Sequence, residues 1–220
     1  LSIDSEIIIQ SNNEIKIIPE ITIKKLKLKE NNLEKNSIPS RLIWPIKNEP
    51  KILAISEYGK IGILKWEFAG QNPGKLKQFL PAGLENDRII NLIPLPKKKN
   101  LSLGLISSDG KFKRISINDI TDISNRASTI LKLKDNISLT SCILCEENDY
   151  IFIISDIGRI IKFRITNDDF PSMGKLAQGN NIIKLFPNEN IISTLSTKRN
   201  ENKDLILITN KGTFIKHDTK

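Results

Sequence analysis

Several features that mark membrane proteins and secreted proteins are missing from this sequence. No apolar run reaches the roughly 18 residues that a membrane-spanning helix needs. The first ten residues, LSIDSEIIIQ, have neither a basic region nor a small-residue cleavage site, so they do not form a signal peptide. The chain also starts without methionine, and we expect it to be a fragment of a longer protein.

Cysteine and histidine are scarce. The single histidine is His217, and the two cysteines, Cys142 and Cys145, form one C-x-x-C, which is too little for an ordinary zinc site. If SCILC is a strand, its first and last cysteines point to opposite faces, which excludes an undistorted disulfide between them. We therefore expect no metal site and predict two small core side chains in a reduced compartment.

Aromatic and acidic residues are few relative to aliphatic and basic ones. Aromatic residues make up 5% of the chain and hydrophobic residues 39%, mostly isoleucine and leucine. Lysine and arginine total 34 against 25 acidic residues, which gives a formal net charge of +9 and a pI near 9.5. Such an excess of positive charge suggests a polyanionic partner, either nucleic acid or an acidic membrane surface.

Five similar segments recur about fifty residues apart, a period typical of propeller-like arrays. They are EIIIQ-SNN-EIK, ILAIS-EYG-KIG, LGLIS-SDG-KFK, IFIIS-DIG-RII and LILIT-NKG-TFI. Each combines an apolar strand, a three-residue turn and a second strand. The turn ends in glycine or asparagine, the residues that adopt the left-handed conformation with least strain. These turn residues are Asn13, Gly59, Gly110, Gly158 and Gly212.

A second motif, a strand followed by a polar turn and another strand, separates the hairpins, as in TILKLKDNISLTSCI. Each repeat therefore holds about four strands, and the unbroken apolar runs LSLGLI, YIFII and DLILI predict strands buried on both faces. We predict a single all-β domain over 1–220 with about five four-stranded blades. The last half-repeat either pairs with the first strand or leaves the array open. The approximate repeats are 1–40, 41–90, 91–140, 141–190 and 191–220.

The strands that follow the turns are strongly basic. No acidic residue lies between Gly110 and Asn118 or between Gly158 and Asn167. Repeated on a radial array, such strands predict a basic rim that follows a phosphate backbone without reading sequence. The alternative is that these lysines are solvated and protect the edges of outer strands. The candidate DNA contacts are Lys24, Lys25, Lys60, Lys65, Lys111, Lys113, Arg114, Arg159, Lys162, Arg164, Lys175 and Lys216.

The order of apolar strand, S/T-x-x-G and basic strand resembles the C-terminal domain of bacterial type IIA DNA topoisomerase A subunits, the gyrase A and topoisomerase IV A family. IFIISDIGRIIKFRI is similar to the repeat of that family, and DFPSMGKLAQGNNIIKLFPNENIIS to the segment that follows it. The resemblance covers the whole chain. It implies a β-pinwheel, a disc whose blades exchange strands and whose outer rim bends DNA.

The resemblance also implies partners and a location. The partners would be double-stranded DNA, the ATPase B subunit of the enzyme, and the rest of the topoisomerase A subunit, with no membrane involved. The isolated domain is expected to be a monomer, and the location is the bacterial cytoplasm, associated with the nucleoid.

One departure from the family concerns the segment after the first repeat. Gyrases carry a glycine-flanked basic box there, whereas ITIKKLKLKENNLEKNSIPS contains no glycine. The absence of the box favours a topoisomerase IV or a divergent gyrase, and predicts DNA bending without a strong chiral wrap.

Residues that could support catalysis are missing. The sequence has no catalytic triad, phosphate-binding loop or metal cluster, and neither Tyr58 nor Tyr150 has the neighbouring arginine expected beside a nucleophile. The chain alone is expected to be non-catalytic and free of cofactors, with the active-site tyrosine of an ATP-dependent topoisomerase outside it. The alternative function is a β-propeller platform for protein interactions. That function would favour Trp-Asp pairs, but neither Trp44 nor Trp66 precedes an aspartate.

Overall fold

The computed structural model describes residues 4–19, 21–22, 38–98, 100–120, 123, 126–201 and 203–218. These ranges contain seventeen β-strands and three short 3-10 helices, at Trp66–Phe68, Leu76–Phe79 and Ile117–Ile120, so the all-β prediction is confirmed. No helix within these ranges has the length and apolar character needed to cross a bilayer. The strands are β1 (Glu6–Gln10), β2 (Glu14–Ile18), β3 (Ser40–Pro45), β4 (Ile52–Ser56), β5 (Lys60–Ile63), β6 (Gly74–Lys75), β7 (Ile89–Pro94), β8 (Ser102–Ser107), β9 (Lys111–Ser116), β10 (Ser128–Thr129), β11 (Leu139–Cys145), β12 (Tyr150–Ser155), β13 (Ile160–Arg164), β14 (Asn180–Asn181), β15 (Ile191–Thr197), β16 (Asp204–Ile208) and β17 (Phe214–Asp218).

The first three sheets share one plan, with strand orders β3-β1-β2-β6, β7-β4-β5-β10 and β11-β8-β9-β14. A predicted hairpin forms the centre of each sheet, and a longer strand from later in the chain (β3, β7 or β11) pairs with the first strand of the hairpin. A two-residue strand from the next repeat (β6, β10 or β14) pairs with the second strand of the hairpin. Neighbouring blades therefore exchange strands, as the resemblance implies, and the four strands of a blade do not come from one contiguous repeat.

The strand order of each sheet runs from the centre of the array to its outer edge. β3 contacts β7, β7 contacts β11 and β11 contacts β15, so these strands lie nearest the centre. The short strands β6, β10 and β14 lie at the opposite side of their sheets and form the outer edge.

The five hairpin turns end in residues with the left-handed backbone that the sequence predicts for them. Glycine adopts this conformation without a Cβ clash, and asparagine is the side chain that tolerates it best. The φ angles are 61° at Asn13, 72° at Gly59, 81° at Gly110, 83° at Gly158 and 79° at Gly212.

The first three turns also contact the chain at β6, β10 and β14, the short strands that come from the next repeat. A Cβ added to Gly59 would lie 2.5 Å from the carbonyl oxygen of Leu131, and one added to Gly110 would lie 2.2 Å from that of Ile183. A Cβ on Gly158 would meet no atom within 4 Å, because the fourth sheet receives no such strand in the described residues. The backbone N–H groups of Leu76, Ile130 and Ile182 donate to the carbonyl oxygens of Asn13, Gly59 and Gly110 at 2.8, 2.9 and 3.0 Å.

The core consists of apolar layers between successive sheets. In β4, Ile52 and Ala54 pack toward the first sheet, whereas Leu53 and Ile55 pack toward the third. Burial on both faces is confirmed in the same way for the runs that form β8 and β12. Such central strands have no polar face, which explains their lack of hydrophobic alternation.

The C-terminal end of the array is less complete. The fourth sheet has the order β13-β12-β15, and the fifth contains only β16 and β17. Leu205 of β16 packs against Phe152 and Ile154, but Ile206 and Ile208 are 62% and 65% exposed. Burial of DLILI on both faces was therefore a wrong prediction, because no further sheet of the described residues covers its outer side. No described strand of this last sheet pairs with β1, so the described array is open.

The two cysteines occupy different core layers. Cys142 packs between the second and third sheets, and Cys145 packs between the third and fourth. Both thiols are buried and free, as predicted from their positions on one strand. Burial raises the pKa of Cys145 to about 12 and also raises the pKa of Cys142, so neither is a thiolate near neutral pH.

Candidate nucleic-acid interface

Four of the predicted DNA contacts are paired with carboxylates. Lys60 and Arg159 form ion pairs with acids in the polar turn that lies between the hairpin of their own repeat and the next hairpin. Lys111 forms an ion pair with an acid in its own hairpin turn. Paired cations have less charge to offer a phosphate, because binding DNA would require them to leave an existing partner. The pairs are Lys60–Asp87 at 3.2 Å, Lys111–Asp109 at 3.0 Å, Arg159–Glu189 at 2.6 Å and Lys216–Asp204 at 2.8 Å.

Arg159 is the most constrained of these cations. Its guanidinium carbon lies 4.6 Å from the ring centroid of Phe186, and one of its nitrogens also donates to the carbonyl oxygen of Lys184 at 3.2 Å. The Glu189 side chain that it contacts is fully buried and accepts the N–H of Phe186 at 2.8 Å. Arg159 therefore joins the hairpin to the second turn of its repeat.

Lys113 does not lie on the rim, so the prediction that it is an exposed rim cation was wrong. The residue is 1% exposed, and its Nζ donates to the carbonyl oxygens of Ile130 and Lys175 at 2.6 and 2.8 Å. It thereby ties together the segments that carry β10 and β14. Burial of the ammonium group lowers the pKa of Lys113 to about 8.

The same correction applies to Arg114, which is 8% exposed and donates to the side chain of Asn167. Its Nε and Nη1 atoms have no hydrogen-bond partner among the described residues. The physical reason is the position of β9, which has β14 on its outer side and a neighbouring sheet on each face. A basic sequence pattern therefore lies in an interior strand.

The remaining predicted contacts differ in accessibility. Lys162 is exposed and lies 4.4 Å from the ring centroid of Tyr150, whereas Arg164 donates to the side chain of Asn148. Lys65 and Lys175 are half-buried. The predicted contacts at Lys24 and Lys25 lie outside the described residues.

Sequence reasoning missed most of the exposed cations on the outer edge. They lie on three stretches, 70–84, 126–134 and 170–188, which contain β6, β10 and β14 and which we name the exchanged segments. None of the three contains an acidic residue, and this absence is the signal that could have revealed them. Their cations form no ion pair with any described residue, and all but the half-buried Lys175 are exposed. They are Lys75, Lys77, Arg126, Lys132, Lys134, Lys175 and Lys184.

A family model described as "DNA gyrase C-terminal domain, beta-propeller" matches residues 105–146 and 149–198, which include the fourth hairpin and most of the third. Within residues 105–198 the chain is therefore similar to the C-terminal domain of DNA gyrase A. Its all-β sheets with exchanged strands are thus those of a β-pinwheel.

Two gyrase A proteins illustrate the relation in sequence. The chain is 29% identical over 116 residues to the DNA gyrase A protein of Ureaplasma parvum, covering 53% of this chain and 14% of that protein. It is 30% identical over 124 residues to the DNA gyrase A protein of Granulibacter bethesdensis, covering 50% of this chain and 13% of that protein. The chain therefore spans only a small part of these relatives.

Solved members of this fold include both branches of the family. The C-terminal domain of DNA topoisomerase IV has a TM-score of 0.76 at 13% identity, covering 98% of this chain and 68% of that one. The DNA gyrase A C-terminal domain has a TM-score of 0.71 at 15% identity, with coverage of 98% and 72%. The E. coli ParC C-terminal domain has a TM-score of 0.67 at 13% identity, with coverage of 99% and 87%.

Proposed function

We propose that this domain binds and bends duplex DNA without reading its sequence, as an accessory part of a bacterial type IIA topoisomerase A subunit. The observation that carries the proposal is the set of exposed cations along the outer edge of a gyrase-type β-pinwheel, which form no ion pair with any residue that the structure describes. Flexible cations at recurring positions suit a phosphate backbone, and contacts of that kind position DNA without specifying bases.

The partners follow from this role. The domain acts on double-stranded DNA, is joined to the breakage-reunion part of the same polypeptide, and works with the ATPase B subunit. It contributes no catalytic group or cofactor, because the active-site tyrosine lies elsewhere in the enzyme. The isolated domain is a monomer, and the enzyme works on the nucleoid in the bacterial cytoplasm.

The choice between the two branches of the family rests on residues 21–40. Glycines in a basic box allow backbone amides to approach phosphates closely, but this stretch has none. Lysine as a residue type supplies charge to a phosphate but directs it less than the planar fork of arginine does. We therefore assign the domain to a topoisomerase IV or a divergent gyrase.

The test is a fluorescence-anisotropy titration of the isolated domain with two duplexes of unrelated sequence. We expect similar affinities for both, and a linear fall of log K with log salt concentration whose slope is about −0.9 per phosphate contact. Absence of binding at about 50 mM salt, a range where such contacts are strong, would contradict the proposal and favour a protein-interaction platform.

A further inference from the structure

We infer that the duplex lies along the exchanged segments and not along the basic arms that follow the hairpin turns. This inference rests on the proposed function and assigns the residues that perform it. Its first support is the state of the cations in the strands that follow the hairpin turns. In the arms, Lys60, Lys111 and Arg159 are each held by a carboxylate, and Lys113 and Arg114 are buried.

The exchanged segments have the opposite character. Lys77, Lys132, Lys134 and Lys184 are all exposed and form no ion pair within the described part of the chain. The segments themselves contain no acid. Three acids beside them, Asp87, Asp109 and Glu189, are already paired with cations of the hairpins. Each of their cations can therefore neutralise a phosphate and release counterions without first breaking a contact in the protein.

Their positions recur from blade to blade. Thr129 of β10 pairs with Lys60, and Asn181 of β14 pairs with Lys111, and in both cases the partner directly follows the turn glycine. Lys132 and Lys184 each lie three residues after these paired positions. They therefore occupy equivalent sites on the outer edges of the second and third sheets, as a backbone running from blade to blade requires.

The exchanged segments also meet in space. Lys132 and Lys134 of the second segment line the same shallow cleft as Gln178 of the third, and the paired residues Asp109 and Lys111 complete one side of it. Lys113 adds a second link below the surface, because its Nζ donates to the carbonyl oxygens of Ile130 and Lys175, one from each segment. The cations of neighbouring blades thus lie on adjoining stretches of surface, and DNA bound there would span the exchange between repeats.

The test compares three quadruple variants that each remove four positive charges. The first replaces Lys77, Lys132, Lys134 and Lys184 with glutamine. The second replaces the paired cations Lys60, Lys111, Arg159 and Lys216, also with glutamine. The third is the matched control, which replaces Lys47, Lys51, Lys97 and Arg199, four exposed cations on the connections between sheets. Thermal melting of each variant shows whether the fold is retained.

We expect the first variant to reduce the magnitude of the salt slope of duplex binding by about 3 to 4, close to 0.9 per charge. The second and third variants should reduce it by less than about 1. A similar loss in all three folded variants, or the largest loss in the second, would overturn the inference while leaving DNA binding intact. Failure of the unaltered domain to bind duplex would instead overturn the proposed function.

Discussion

At the scale of single residues, Gly110 and Gly158 have almost the same φ, 81° and 83°, but different surroundings. A methyl group on Gly110 would meet the carbonyl oxygen of Ile183 at 2.2 Å, whereas one on Gly158 would meet nothing within 4 Å. We expect Gly158→Ala to lower the free energy of unfolding by about 1 kcal/mol through backbone strain alone. Gly110→Ala should cost about 3 kcal/mol or more, because the exchanged strand must also move.

Urea unfolding of the two variants measures this difference directly, since each is the control for the other. Equal destabilisation would mean that Ile183 does not pack against the turn of Gly110.

Lys113 should make stability depend on pH. Its pKa is about 8 in the folded protein, because the ammonium group is buried, and near 10.4 when unfolded. Between those values the unfolded chain binds more protons than the folded one, so the free energy of unfolding contributed by this group rises with pH. The rise is on the order of 3 kcal/mol in total and is complete above the unfolded pKa.

The measurement is the difference in unfolding free energy between the unaltered protein and Lys113→Met, followed from pH 7 to pH 10. Subtraction removes groups that titrate equally in both proteins. The unfolding free energy of the unaltered protein should rise relative to that of Lys113→Met as pH rises. A difference between the two proteins that does not depend on pH would contradict the burial of a charged Lys113.

At the scale of elements, an ion network joins three connections between sheets. The Glu146 carboxylate forms ion pairs with the Nζ atoms of Lys98 and Lys198, with N–O distances of 2.7 and 2.5 Å. The Nζ of Lys198 also lies 3.1 Å from a carboxylate oxygen of Asp149. Asp149 is 3% exposed, so removal of its cation would leave a buried carboxylate without charge compensation. We expect Lys198→Ala to cost about 1–3 kcal/mol of stability. The neighbouring Arg199 is exposed and forms no ion pair with another residue in the described part of the chain, so Arg199→Ala should leave the melting temperature unchanged. Equal effects of the two substitutions would argue against the network.

Local signals explain which elements are predictable from sequence. The hairpins were predicted because turn conformation and apolar runs are properties of adjacent residues, as at Gly59 and Gly110. The exchanged strands were not located, because β6 and β14 have two residues each and no apolar pattern. Their pairing depends on hairpin residues that lie 59 to 70 positions away in the chain. Lys113 and Arg114 were misplaced for the same reason, since only the assembled array shows that β9 is covered.

At the scale of the whole molecule, the open array and the stretch at 21–40 bear on DNA topology. A chiral wrap must offset an elastic cost of about 1–6 kcal/mol with contacts that hold DNA on both sides of a bend. Without a glycine-flanked box, we expect the domain to bend DNA but not to fix the hand of a wrap. A relaxed plasmid closed by ligase in its presence should show little change in linking number. A large, protein-dependent shift would assign the domain to the gyrase branch.

The central claim is that the domain bends duplex DNA through phosphate contacts along its outer edge. Energy transfer between dyes at the two ends of a short duplex, titrated with the domain at several salt concentrations, tests that claim most directly. We predict that transfer rises on binding, by the same amount for two unrelated sequences, and that the rise is lost as salt screens the contacts. Binding with no change in end-to-end distance, or bending confined to one sequence, would contradict it.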